Sequence, residues 1–511
     1  MRTTCWITAW AVGCFAAVGC DELGNPAARA ENPLSPWPLP VQQARAYPEM
    51  QTGLFFPLAD FEDRPEGRRG AEQARRFTVE PAGSGAVRQR VIHTSRTGVG
   101  SLEVTLPAGS DLIFRPASGA DFSGYTLLTL SIRAAAHRDD LRVSLVSPGE
   151  SWISPRRLIR PGWNTVHFDL RPLESVKGFS IQDVRAVRLR FDDAAGPVTF
   201  FVDDLILVNN TRELRATPVG MQLRKSGTDY EITVSSTGRA VRLAQFEDGL
   251  WRLSPDQAAL LLSPPGREPG DRRQSLDLLG ARRIGEAELL EANAVRVRLA
   301  STWYFPDRSG EWASLAVRRV RWEHTFYPDG RRVTHVKLNN AGGPEIGAAK
   351  IVCPRAVAWG DGQTGNALTS AGPTGPIAEW SWLAPPETST GKTFQNSYVD
   401  PGRIEVDRGA ALVASAGDEQ QGGFDRSQGC YVVRAIKGRF RFRFVPPQEG
   451  VLNPVFRVEG NWSEPVCVSS EGLAIRRRAL LADGSLLFLL PGEVSQSIWL
   501  EISGSMESAG K

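Results

Sequence analysis

Val198-Thr-Phe-Phe-Val-Asp-Asp-Leu-Ile-Leu-Val208 closes a segment that opens with Leu58-Ala-Asp-Phe-Glu-Asp63. Between them, apolar residues recur at every second position in short runs: Leu128, Leu130, Ile132; Leu141, Val143, Leu145; Val166, Phe168, Leu170; Val187, Leu189, Phe191. Period two, punctuated by Gly and Pro, is the pattern of half-buried antiparallel strands. Closely spaced strands with no helical periodicity between them build a β-sandwich. Its register is well specified, because a one-residue slip would bury Arg188 and Arg190.

Inside this frame lies Pro161-Gly-Trp-Asn-Thr-Val-His-Phe-Asp-Leu170. The combination resembles the galactose-binding-like β-sandwich of bacterial carbohydrate-binding modules. That resemblance implies a jelly-roll-like sandwich over 58–208 and a polysaccharide or glycoconjugate partner. It also implies a structural Ca²⁺ bridging the first and last strands, held by Glu62 and Asp203 with Asp60 as a third ligand. Oxygen ligands from carboxylates and from loop carbonyls near Gly100-Ser101 suit that ion; the competing reading is three solvated strand-end carboxylates. The Trp of Pro-Gly-Trp, Trp163, is implied to be buried packing.

Sugar recognition needs a flat aromatic face ringed by hydrogen-bonding groups. Trp152, followed by Arg156 and Arg157, is the best such group, and guanidinium beside Trp suits acidic or sulfated glycans. The competing role for Trp152 is packing a loop.

Length and composition bound the rest. At 511 residues the chain has room for about three domains, or for two large β domains. A 41% hydrophobic content with 14 Trp and 22 Phe supports sizeable cores. The 60 basic side chains nearly balance 57 acidic ones, and a net charge of +3 gives no reason to expect a nucleic-acid partner. Arg2 and the apolar stretch 5–18 form a targeting segment, too short to cross a ~30 Å bilayer core as a helix.

Ala17-Val18-Gly19-Cys20 resembles the lipobox of bacterial lipoproteins. It implies a signal peptide over 1–19, an acylated Cys20, and a lipid-anchored protein at the cell envelope facing periplasm or exterior. The alternative is cleavage after Ala28-Arg29-Ala30 and secretion. Pro33, Pro36, Pro38, Pro40 and Pro48 make 20–57 an extended tether. Of the internal thiols, Cys353, Cys430 and Cys467, three cannot all pair; Cys430 and Cys467 read equally as a bridge or as buried free thiols.

A polar linker at 209–219 leads to a second β-rich region over 220–505, with a disordered tail at 506–511. Tyr230, Ile232 and Val234 alternate at its start, and a short helix is expected over 255–262, with Ser254 as N-cap and Pro255 at N1. A hairpin from Val320 to Leu338 turns at Pro328-Asp329-Gly330. Its wording, Arg321-Trp-Glu-His-Thr-Phe-Tyr-Pro-Asp-Gly-Arg-Arg-Val333, resembles the β-supersandwich of galactose mutarotases and polysaccharide lyases. The expected architecture is therefore all-β, a jelly-roll-like sandwich followed by a larger supersandwich-like domain with few short helices.

Three functions follow. The first is non-catalytic glycan binding. The second is a polysaccharide lyase or hydrolase, with Tyr327 as acid and His324 or His335 as base, the two histidines lying opposite or diagonally across the hairpin. The third is a structural surface protein. Alternation of Arg439, Arg441 and Arg443 with Phe440, Phe442 and Phe444 reads as a core strand with a wet face. No Gly-x-Ser-x-Gly, His-Glu-x-x-His or phosphate-cradling Gly loop occurs.

Overall fold

The computed structural model describes residues 54–506 except 64–68, 82–85, 117–118, 215–216, 256, 269–271, 281–282, 307–317, 342, 361–362, 372–376, 387, 389, 408 and 413–422. The signal segment, Cys20, most of the tether and residues 507–511 lie outside them. The fold is all-β; among the described residues only Arg69–Arg75, Arg272–Leu279 and Gly391–Val399 are α-helical. No helix among those residues is long and apolar enough to cross a membrane.

The opening and closing stretches of the first unit lie side by side. Strand Leu54–Ala59 runs antiparallel to Val198–Asn209, with Leu54 opposite Asn209 and Ala59 opposite Leu205. Residues 54–57, expected in the tether, are thus strand. Pro57 is tolerated because this strand has a single neighbour and the missing N–H falls at a sheet edge. One sheet orders Gly162–Asp169, Leu127–Ala134, Val198–Asn209, Gly100–Leu106 and Val87–Ile92; the facing sheet is built on Asp111–Phe114, Ala186–Phe191 and Arg138–Val146. The alternating residues meet between them: Leu128, Leu130, Ile132, Val166 and Phe168 against Leu141, Val143, Leu145, Val187 and Leu189. Full burial contributes roughly 1.5–3 kcal/mol per large apolar side chain. Arg190 points outward to Asp111, as the register argument requires.

Beyond this sandwich, a five-stranded meander occupies 212–254 and an eight-stranded sheet 259–384; three further sheets, of five, six and two strands, lie within 403–506. Arg212–Leu214, inside the expected linker, already pairs with Met221–Ser226. The helix expected over 255–262 does not form. Ala259–Ser263 instead pairs with Ala348–Trp359, burying Leu260 and Leu262 on one face. A short apolar run satisfies either period, and here cross-strand pairing decides.

The junction between the first sandwich and the meander is tied by polar groups. Asp169 accepts from the Arg171 side chain and Thr228, and Arg171 also reaches Asp229 at 3.0 Å. The Asn210 amide bonds both backbone groups of Gly227, at 2.7 and 2.8 Å. Gly227 sits at φ +58°, where a Cβ would lie 2.6 Å from Asp169 and Arg171 atoms, so only glycine lets the strands approach.

Candidate functional site

Asp60, Glu62 and Asp203 lie at one end of the sandwich. There the strand Val198–Asn209 passes from partner Gly100–Leu106 to partner Leu54–Ala59, with a register shift after Asp203. Glu62 Oε1 accepts the N–H groups of Val99 and Gly100 at 2.8 and 2.7 Å. Asp203 Oδ2 accepts those of Arg96 and Thr97 at 2.7 and 3.3 Å, and its Oδ1 accepts from Asp204 at 2.8 Å. The loop beside Gly100-Ser101 thus gives Glu62 two of its N–H groups. Among the described residues no three His, Cys, Asp or Glu are gathered as for a metal. Yet Asp203 is fully buried, and burial, then adjacent Asp204, push its pKa up to about 9. Such an oxygen-rich, charge-crowded spot suits a hard cation in its chemistry.

Trp152, Arg156 and Arg157 line one cleft of 1170 Å³ between the first sandwich and the second region. Trp152 is half-buried, its inner part packed on the sandwich core. Arg156 is held by Asp193 at 2.5 Å and Asp192 at 3.5 Å, so its charge is already matched. Arg157 differs. It is only 7% exposed, its guanidinium lies 5.4 Å from the Phe168 ring and 5.8 Å from the Trp251 ring, and its one hydrogen bond goes to Gln245 at 3.2 Å. Its Nε and Nη1 are buried with no partner, and no other described side chain leaves two such atoms. Burial lowers its pKa to about 10.

Trp163 is not the buried packing residue that the resemblance implies. Gly162–Asp169 is an edge strand whose Val166 and Phe168 face the core, leaving Trp163, Thr165 and His167 on the outer face. The half-buried Trp163 ring lines a second cleft of 770 Å³. It stands opposite Arg133, which is opposite Phe201, which is opposite Glu103, which is opposite Gln89. That row crosses five strands, about 19 Å at the usual strand spacing. Sequence reasoning missed it; cross-strand order was the absent information.

The hairpin residues are not brought together. The turn places His324 opposite Thr334 and His335 opposite Glu323, so the two imidazoles occupy opposite faces of the sheet. His324 is buried between Trp322 and Phe326, its Nδ1 3.1 Å from Thr334 Oγ1, and burial holds its pKa far below the usual value. His335 Nδ1 meets Ser381 Oγ at 2.9 Å, and burial lowers its pKa as well. Tyr327 is fully buried, donates to the Gln428 carbonyl at 2.7 Å, carries Arg331 over its ring at 4.4 Å, and is pushed up to about 12 by burial. An acid and base sharing one groove is therefore corrected: register separates the histidines, and Tyr327 faces the protein interior.

Phe440, Phe442 and Phe444 are buried, while Arg441 and Arg443 pair outward with Asp407 and Glu405. Cys353, Cys430 and Cys467 are free thiols.

No family model matches the chain, and no curated protein matches it. Among solved structures, part of the chain is similar to a family 11 carbohydrate-binding module from Clostridium thermocellum, in complex with a mixed-linked tetrasaccharide. That match has 16% identity over 30% of this chain and 95% of that one, at a TM-score of 0.24. A family 30 module of a cellulosomal cellulase of the same organism matches at 15% identity over 25% and 84%, TM-score 0.21. An exo-beta-agarase matches at 12% over 26% and 22%, TM-score 0.21. TM-scores this low assign no ligand.

Proposed function

We propose that the chain binds a polysaccharide or glycoconjugate without catalysis, through its N-terminal sandwich. The observation that carries this reading is the Trp152 cleft, where a half-buried indole and the under-coordinated guanidinium of Arg157 share one concave surface. An apolar face beside a few convergent polar groups is the composition of a small-ligand site. Trp152 is not sealed within the core, which favours binding over a purely structural surface role. The hairpin geometry gives the lyase or hydrolase reading no assembled acid and base.

The same proposal places the protein at the cell envelope, anchored through an acylated Cys20. Radiolabelled fatty acid incorporation, lost in Cys20→Ala, tests that part. A structural Ca²⁺ at Asp203, with Asp60 and Glu62 nearby, belongs to it too. Metal analysis of the purified protein, and a rise in Tm on adding Ca²⁺ after EDTA, would support it; a bound ion stabilises as RT ln(1 + [L]/Kd). The main test is a glycan array probed with the mature chain. Specific retention is expected, and a blank array across neutral, acidic and sulfated glycans overturns the reading.

A further inference from the structure

We infer that the small chamber between the strand Trp251–Ser254 and the eight-stranded sheet binds a single halide-sized anion, chloride in a physiological medium, which ties the meander to that sheet. The site stands whether or not a glycan binds in the clefts.

The floor of the chamber follows from register. Ser301 is opposite Trp322, His324 is opposite Thr334, and Thr334 is opposite Trp382, so these five side chains project from one side of the sheet. Strand Trp251–Ser254, the last of the meander, closes over them with Arg252, and Gln257 follows it. Trp303 Nε1 donates to the Trp251 carbonyl at 2.9 Å, which holds the closing strand in place. The ring centroids of Trp303 and Trp322 lie 5.2 Å apart, and those of Trp322 and Trp382 lie 6.2 Å apart, edge to face. Rings packed in this way make a wall that keeps its shape.

The chamber gathers buried polar atoms that no protein group satisfies. Trp251 Nε1, Arg252 Nε, Gln257 Nε2, Ser301 Oγ and Trp322 Nε1 are buried without a hydrogen-bond partner, and their residues all line this one space. Arg252, the most exposed of Arg252, Ser301 and Trp322, is only 7% exposed. Buried polar groups in native structures are paired, so such a cluster calls for an occupant. The nitrogen atoms among them only donate, and the serine hydroxyl rotates to donate as well. His324 Nδ1 and Thr334 Oγ1, whose residues also line the chamber, bond each other at 3.1 Å. A water molecule must place two protons of its own; an anion accepts from every side and brings none.

Volume narrows the class. At 20 Å³ the chamber exceeds the roughly 10–15 Å³ that one water-sized body needs, and it admits no tetrahedral oxyanion or sugar ring. Among the described residues that line it there is no Asp or Glu, and Arg252 and Arg332 bring guanidinium groups. Arg252 keeps its pair with Asp248 through Nη2, so the anion is held by N–H geometry in a desolvated space and not by an unmatched charge. An ion touching Arg252 on one side and Trp322 and Ser301 on the other joins the two sheets.

Crystals of the mature full chain grown in sodium bromide, with data collected at the bromine absorption edge, test the site directly. An anomalous peak within hydrogen-bonding reach of Trp322 Nε1 and Ser301 Oγ is expected; water density there without anomalous signal overturns the inference. In solution, replacing sodium gluconate by sodium chloride at constant ionic strength should raise Tm saturably, by about 2 °C or more. Trp322→Phe, which keeps a ring and loses the N–H, should raise the half-saturating chloride concentration about tenfold, and Ser301→Ala severalfold. Should Trp322→Phe fail to fold, Ser301→Ala decides alone. A chloride response equal in wild type and Ser301→Ala places the ion elsewhere and overturns the chamber. A peak in the crystal with no chloride response in solution means an adventitious ion only, and overturns it as well.

Discussion

The hairpin Arg318–Asn339 and the clefts beside Arg157 are both rich in the side chains from which sites are made, and they are finished differently. In the hairpin the three side chains expected to do chemistry each already have a protein partner: His324 has Thr334, His335 has Ser381, and Tyr327 has the Gln428 carbonyl. Beside the clefts, Arg157 keeps two buried nitrogens without one, and Trp163 is only half-buried. Leaving a buried polar group unmatched costs about 1–3 kcal/mol. On the proposed function, that cost is carried beside the open space where a glycan would bind. Residue type alone does not separate the two cases; partner count does.

The sharpest way to break the comparison is to empty the hairpin. Tyr327→Ala removes a fully buried aromatic ring and should cost roughly 3–5 kcal/mol in urea unfolding. Glycan affinity of the protein that remains folded should be unchanged. If affinity collapses while stability holds, the hairpin is a site after all. Arg157→Met should do the opposite. Replacing a buried, poorly coordinated charge with an apolar chain of similar length should leave stability unchanged or improve it. Affinity for an acidic oligosaccharide should fall at least tenfold, about 1.4 kcal/mol. A large loss of stability in this variant would make Arg157 a structural pin and erase the contrast. Trp152→Ala should weaken binding by about tenfold at most with Tm little changed, because its ring is only partly packed on the core; an unchanged Kd would reduce Trp152 to a loop-packing residue.

The architecture was legible because period-two runs carry their own register. Val166 and Phe168 face inward as their spacing requires, and the opening and closing strands lie side by side as the resemblance implies. Short elements were not legible. Arg69–Arg75 has seven residues, too few for helical periodicity to stand out, and Ala259–Ser263 takes its form from a partner ninety residues away. The first cleft was half legible, since Trp152, Arg156 and Arg157 are neighbours in sequence. That Asp192 and Asp193 neutralise Arg156 was not, because those contacts join distant strands. The second cleft was illegible for the same reason: its walls come from Leu127, residues 157–167 and residues 225–321, and no local pattern links Trp163 to Tyr304.

Asp203 offers the finest test, since its carboxylate is fully buried beside a second one, Asp204. Its folded pKa, pushed up to about 9, lies above the ~3.9 of an unfolded aspartate. Between those values the folded chain holds a proton that the unfolded chain releases. Stability from this group is therefore fully present below the unfolded pKa and declines as pH rises toward the folded one. In EDTA, the Tm of the wild type should fall from pH 5 to pH 8 more than that of Asp203→Asn, which cannot ionise. The variant should start lower, because an amide presents only one acceptor where the carboxylate receives N–H groups on both oxygens. Ca²⁺ should restore the wild type at pH 8 and leave the variant unmoved. If the two proteins show parallel pH profiles, and Ca²⁺ shifts neither, the carboxylate is fully balanced by the loop amides and belongs with the hairpin side of the comparison.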